Sequence, residues 1–126
     1  MNKNANYNAS IEELRARISS AVTSLDKPSA QLEWWLLGTV GCHLCTEAEN
    51  LMTCFQAVQP ITYQHVDIAD FDERLMMAFA TSIPVLLTPS KRLNYPFSVM
   101  DMQQLIEEED KRRTISISNV YSTSNF

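Results

Sequence analysis

No stretch of this 126-residue chain approaches the roughly 20 consecutive apolar residues that a membrane-spanning helix needs. Basic residues are scarce too: 10 Lys and Arg stand against 15 Asp and Glu, for a formal net charge of -5. A nucleic-acid surface needs clustered cations, and the one dense group, Lys111-Arg112-Arg113, follows Glu107-Glu108-Glu109-Asp110 and reads as a helix end. Neither nucleic acid nor membrane is therefore expected as a partner. Three cysteines are too few for a structural disulfide framework, and Met1 to Asn8 is too polar for a secretory leader. The expected location is cytoplasmic, where a merely structural thiol pair would stay reduced. Internal repeats, a phosphate loop, a carboxylate metal cluster and a hydroxyl-nucleophile signature are all missing. With 45% hydrophobic residues, the chain can bury one core but hardly two.

Against that background Cys42-His43-Leu44-Cys45 stands out, because it falls where the apolar run Trp34 to Leu37 gives way to a helical pattern. Two thiols in the first turn of a helix can approach closely enough for a disulfide without rearranging the backbone. Unpaired N–H groups and the positive end of the helix dipole lie there as well, and they favour a thiolate over a thiol. The chain's two glycines, Gly38 and Gly41, flank this strand-to-helix turn. They let the backbone bend and leave the first sulfur accessible. At this level the pair is either catalytic or metal-binding.

Residues Met1 to Ala9 are rich in Asn and are expected to be disordered, whereas Ser10-Ile11-Glu12-Glu13 has capping-box spacing and should start a helix. Ile11, Leu14, Ile18, Val22 and Leu25 recur at helical intervals until Asp26-Lys27-Pro28-Ser29, which predicts an added helix docked on the main domain. Leu32 to Thr39 reads as a strand, with Trp34 and Trp35 on opposite sides, one entering the core and the other under the added helix or in solvent. A helix from Leu44 places Ala48, Leu51, Phe55 and Val58 on its core stripe, with Cys54 beside it as a small, partly buried hydrophobe. Thr62 to Ile68 is a second strand, with His65 on its surface side, and Asp70 to Glu73 caps a short helix that turns Phe71, Leu75 and Phe79 inward. Ile83 to Leu87 is a buried strand, Pro89 to Lys91 a turn, and Leu93 to Phe97 the returning hairpin partner. A last helix begins near Ser98 to Asp101, directs Met102, Leu105 and Ile106 inward, and gives way to a loose tail from Thr114 to Phe126. Met76, Met77, Met100 and Met102 read as packing residues. The resulting division is an N-terminal tail and added helix over 1–31, the main domain over 32–110, and a flexible tail over 111–126.

This order of elements, together with Cys42 to Cys45, the Val66-Asp67-Ile68 strand and Ser82-Ile83-Pro84-Val85, resembles the glutaredoxin-like branch of the thioredoxin-fold superfamily over about Leu32 to Glu109. The resemblance implies an α/β fold: a four-stranded mixed sheet flanked by helices, here with an added N-terminal helix. It implies a thiol–disulfide oxidoreductase in which Cys42 attacks a substrate disulfide and Cys45 resolves the mixed disulfide. Pro84 becomes the family's cis proline, and the backbone of Ile83 faces the sulfur pair and meets the partner. Gly41 and His43 complete the expected substrate-binding set. His43, when protonated, would favour the thiolate; the alternative is a solvent-facing side chain of little influence.

The implied partner is a disulfide-containing protein or a small-molecule thiol, met by a monomer that takes part in electron transfer and redox homeostasis. No cofactor is implied, and glutathione is at most a co-substrate. The basic residue and the paired glycine that help glutaredoxins hold it are replaced by Thr39 and by Phe97-Ser98-Val99-Met100-Asp101. Ser98 and Asp101, near a helix N-terminus, could still meet part of such a ligand. Two other readings compete. One is a binding module with the same fold and no turnover. The other is a zinc site, for which only Cys54, His65 and His43 could add Cys or His ligands, without forming a second close-spaced pair; no metal is expected.

Overall fold

A computed structural model describes residues 3–110, with side chains from residue 11 onward. In order, the chain forms α1 (Lys3–Ala21), β1 (Trp34–Gly38), α2 (His43–Gln56), β2 (Tyr63–Asp67), α3 (Glu73–Phe79), β3 (Val85–Leu87) and β4 (Arg92–Asn94). A final helix, α4, occupies residues 99–110. Short 3-10 turns at Thr23–Leu25, Pro28–Leu32 and Ile68–Asp70 join the larger elements. The expected loose tail from Thr114 and the helix-end role of Lys111-Arg112-Arg113 lie outside the described residues.

The sheet runs in the order β2-β1-β3-β4. β1 pairs parallel with β2 and antiparallel with β3, which in turn pairs antiparallel with β4. A strand covered on both faces needs an unbroken apolar run rather than alternation, and Trp34-Trp35-Leu36-Leu37 supplies it. Trp35 and Leu37 join Ile18, Leu25, Leu75, Phe79 and Val85 beneath α1 and α3. Trp34 and Leu36 join Ala48, Met52, Phe55, Leu86 and Met102 beneath α2 and α4. Each fully enclosed Leu or Val in these layers contributes about 1.5–3 kcal/mol. Trp34 is thus in the core layer of α2 and α4, and Trp35 lies under the added helix, the placement expected for the second tryptophan, where it too is fully buried.

Several local expectations are corrected. The first helix starts at Lys3, not Ser10, because neither glycine nor proline precedes Ser10 to stop a helix spreading towards the N-terminus. It stops at Ala21, so Val22 and Leu25 lie beyond it, Leu25 reaching the core from a 3-10 turn. On α2 the buried set is Cys45, Ala48, Met52 and Phe55. This stripe is rotated relative to the expected one, since Val58 falls past the helix end and is 71% exposed, while Cys54 points outward. Met102 and Met76 pack against the core, but Met77 and Met100 do not. The Asp72 carboxylate accepts the Leu75 N–H at 2.9 Å and fixes the start of α3, with Phe71, Leu75 and Phe79 inward as expected.

One core side chain has no apolar signature. Arg15, buried on α1, stacks its guanidinium 3.7 Å from the centre of the Trp35 ring. It donates to the carbonyls of Leu87 at 3.2 Å and of Gln31 and Glu33 at 3.0 Å. Burial pulls its pKa down to about 10, with the negative charge of Glu109 pushing the other way. Arg15 therefore ties the added helix to the strand that leads into the cysteine motif.

Candidate active site

The turn after β1 carries the chain from the sheet into α2, and Cys42 is the residue that caps the helix. Its backbone is extended, and its sulfur accepts the Cys45 N–H at 3.2 Å. A capping serine oxygen makes the same kind of contact, so the first sulfur occupies the position where helix N–H groups stabilise negative charge. Cys42 and Cys45 form a disulfide, with Cα atoms 5.2 Å apart. Cys42 is half-buried and Cys45 is 3% exposed, so the first sulfur is the more accessible of the two.

The glycines perform different tasks. Gly41 adopts φ 79°, the left-handed region, and a Cβ placed there would meet nothing within 4 Å. The turn needs its conformational freedom. Gly38, at the end of β1, is required by space instead: a Cβ there would stand 3.0 Å from the Cys45 sulfur.

Strand register brings the proline segment to the same edge. Leu37 faces Val85 across the antiparallel pair, so Pro84, one residue before Val85, comes opposite the Gly38 end of β1. The Ile83–Pro84 bond is cis, as is Tyr95–Pro96, which no sequence signal indicated. Pro84 is buried, and its carbonyl accepts the Tyr95 N–H at 3.1 Å. The Tyr95 hydroxyl donates to Glu47 of α2 at 3.0 Å, so Tyr95 links the proline segment to the cysteine helix. Ile83 donates its own N–H to the Phe79 carbonyl, which leaves its carbonyl as the backbone group it can offer a partner.

His43 turns outward, with its side chain 84% exposed, and pairs with Glu47 at 2.9 Å. The i,i+4 spacing of these residues was a readable signal for that pair. Glu47 also raises the Tyr95 pKa above the usual value of 10.0, first through their hydrogen bond, then through burial and its own charge. Around the site, Thr39 donates to Asp67 at 3.0 Å, while Ser98 and Asp101 bond each other in a reciprocal cap at the start of α4. Among the described residues, no group of three or more His, Cys, Asp or Glu is arranged to hold a metal ion, and no helix is long and apolar enough to cross a membrane.

A cleft of about 190 Å³ opens beside Cys45, lined by Gly38, Thr39, Glu49, His65 and Asp67 among others. Sequence reasoning did not single out Glu49, although it stands four residues after Cys45 and hence on the same side of α2. His65 faces outward on β2 as expected, 3.7 Å from Glu49.

In comparison with known proteins, the family model described as "Glutaredoxin-like domain (DUF836)" matches residues 33–118. The match begins at the entrance to β1 and includes the cysteine motif and the proline segment. No curated protein and no solved structure gives a significant match.

Proposed function

The chain belongs to the glutaredoxin-like domain family, and from that premise we propose that it is a thiol–disulfide oxidoreductase acting through Cys42 and Cys45. The observation that carries this reading is the capping position of Cys42, where the more accessible sulfur of the pair accepts a helix N–H. In the reduced protein the same N–H groups would favour the Cys42 thiolate, the form that attacks a disulfide. That attack breaks the substrate S–S bond, releases one substrate thiolate and leaves a mixed disulfide on Cys42. Cys45 then attacks Cys42, the second substrate sulfur leaves, and the protein carries the oxidised pair. Two electrons have passed to the substrate, and an external thiol must return them.

Register supports a place for the substrate beside Ile83 and Pro84, with the Ile83 carbonyl as its backbone acceptor and Gly41 in the turn before Cys42 as the further contact we infer. The outward, carboxylate-paired His43 favours a role at the rim over one beneath the sulfur. The substrates we infer are disulfide-containing proteins or small-molecule disulfides, met by a monomer in a reducing, cytoplasmic setting, with no bound cofactor. Glutathione as co-substrate would meet Ser98 and Asp101 in a pair already bonded to each other at the start of α4.

The test is a titration of the thiols against a redox buffer, together with single substitutions. We expect a reversible two-electron couple in the parent, loss of disulfide reduction in Cys42→Ser, and a trapped mixed disulfide in Cys45→Ser under limiting reductant. A Cys42→Ser protein as fast as the parent would overturn the proposal.

A further inference from the structure

The two ends of β1 differ. Gly38 closes on the cysteine helix, whereas the residues that enter the strand border an open groove of about 600 Å³. The groove lies between the turn that leads into β1, the loop that leads into β2 and the end of α4, with Leu32, Trp34, Ile61 and Ile106 as its apolar walls. Its volume is that of sites which enclose a drug-sized ligand, enough for several side chains. Leu32 is 69% exposed there, so most of its apolar surface lies open. The rim is acidic. Glu33, Glu109 and Asp110 all border the groove, and among the described residues none of them stands in an ion pair. Glu109 accepts from Thr88 and Ser90, and Glu33 from Gln64, bonds that fix these carboxylates without cancelling their charge. Arg15 feels the charge of Glu109 but directs its donors to backbone carbonyls, and Lys91 pairs with Glu108. An occupant of this groove should therefore join apolar side chains to positive charge.

A segment of that chemistry follows directly in the chain. The described part of α4 ends at Asp110, itself on the rim, and the next residues are Lys111-Arg112-Arg113-Thr114-Ile115-Ser116-Ile117-Ser118. They hold the densest group of cations in the sequence, then two isoleucines separated by one serine. In an extended segment, residues two apart face the same way. Eight residues can reach about 26 Å when extended, so reach does not limit them. The family match runs to residue 118, past the last described residue of α4, so the family's pattern includes this segment. A second copy of the chain is the poorer occupant, because a surface with a net charge of -5 brings mostly like charge to an acidic rim.

We propose that the groove is the docking site for residues 111–118 of the same chain. Lys111, Arg112 and Arg113 meet the acidic rim, and Ile115 and Ile117 cover Leu32, Ile61 and Ile106. The segment thus closes the end of the sheet opposite the disulfide. The folded domain then extends to Ser118, beyond the boundary at residue 110 expected from the sequence.

The test is amide hydrogen exchange on the full chain, followed residue by residue with NMR. In the parent, Ile115 to Ser118 should exchange about tenfold or more slowly than in a free peptide of the same sequence, while Ser122 to Phe126 exchange at the peptide rate. Leu32→Ser changes a solvent-facing side chain and should return Ile115 to Ser118 most of the way to the peptide rate, with β1 and β3 as protected as in the parent. Glu33→Gln removes one rim charge and should lower the protection about twofold or more. Ile115→Ser combined with Ile117→Ser should abolish the protection of Ser118 from the other side of the contact. Salt at about 1 M should weaken protection in the parent by screening the rim. The proposal is overturned if Ile115 to Ser118 exchange at the peptide rate in the parent. It is equally overturned if their protection is indifferent to Leu32→Ser and Glu33→Gln, as a plain continuation of α4 would make it, or if it grows with protein concentration, as exchange of segments between copies would. Should Leu32→Ser loosen β1 itself, Glu33→Gln decides the question.

Discussion

Gly38 and Cys45 pack closely at the strand end: a Cβ at position 38 would lie 3.0 Å from Cys45 Sγ and 3.2 Å from its Cβ, so the start of α2 would have to give by a few tenths of an ångström to admit one. Both neighbours belong to the first turn of α2, which the disulfide and the Cys42 cap hold in place. Gly38→Ala should therefore destabilise the oxidised protein by about 1–2 kcal/mol through overpacking, more than the fraction of a kcal/mol gained by stiffening the unfolded chain. Denaturant unfolding of oxidised parent and variant measures this. An alanine variant as stable as the parent would show that the helix start can retreat from the strand.

Gly41 gives the contrasting result. Nothing stands within 4 Å of its missing Cβ, and its φ is 79°. The cost of Gly41→Ala is therefore conformational, roughly 1–2 kcal/mol, and Gly41→Asn should cost less because asparagine tolerates the left-handed region better. Equal losses for alanine and asparagine, read by the same unfolding experiment, would count against this account.

The difference between these two glycines also marks how far the sequence could be read. A turn needing glycine after an apolar run, a helix opening at Cys42, and Asp72 ahead of a short helix are local patterns, and they appear in the structure where expected. The resemblance supplied the sheet plan and the cis Ile83–Pro84 bond. What escaped was set by contacts distant along the chain. Tyr95 reaches Glu47 across 48 residues, and Arg15 reaches Leu87 across 72. The rotated stripe on α2 has a related cause. Leu51 and Met52 are both apolar, and only packing against the sheet decides that Met52 is enclosed while Leu51 stays half-buried.

Arg15 should be among the most sensitive positions outside the cysteine motif. Arg15→Leu keeps an apolar stem over Trp35 but leaves the carbonyls of Leu87, Gln31 and Glu33 without that donor. The expected loss is about 2–4 kcal/mol in denaturant unfolding. Arg15→Lys should recover little of it, since one ammonium cannot reproduce a planar fork directed at several carbonyls. Burial depresses the folded-state pKa to about 10, and the guanidinium keeps its charge throughout the ordinary pH range. A depressed pKa on a cation means that burial of the charge costs stability below that pKa, so Arg15 does not drive alkaline unfolding. A lysine variant with parental stability would contradict the fork assignment.

Tyr95 offers a direct probe of the link between the proline segment and α2. Its hydroxyl donates to Glu47, and that bond is the largest of the causes raising its pKa above 10.0, ahead of burial and of the carboxylate charge. Raising a folded-state pKa favours the neutral phenol, so the associated stability is complete below the unfolded value and is lost as pH climbs through the folded one. Glu47→Gln removes the charge and weakens the acceptor, and should bring the Tyr95 titration back towards the ordinary value. The other three tyrosines provide the comparison when the four are followed individually by NMR. His43 loses its partner in the same variant, so its ring should move more freely at the rim of the site. If Tyr95 titrates identically with and without the Glu47 carboxylate, the phenol is not bonded to α2 in solution. The proline segment would then be held to the cysteine helix by apolar packing in the core layer of α2.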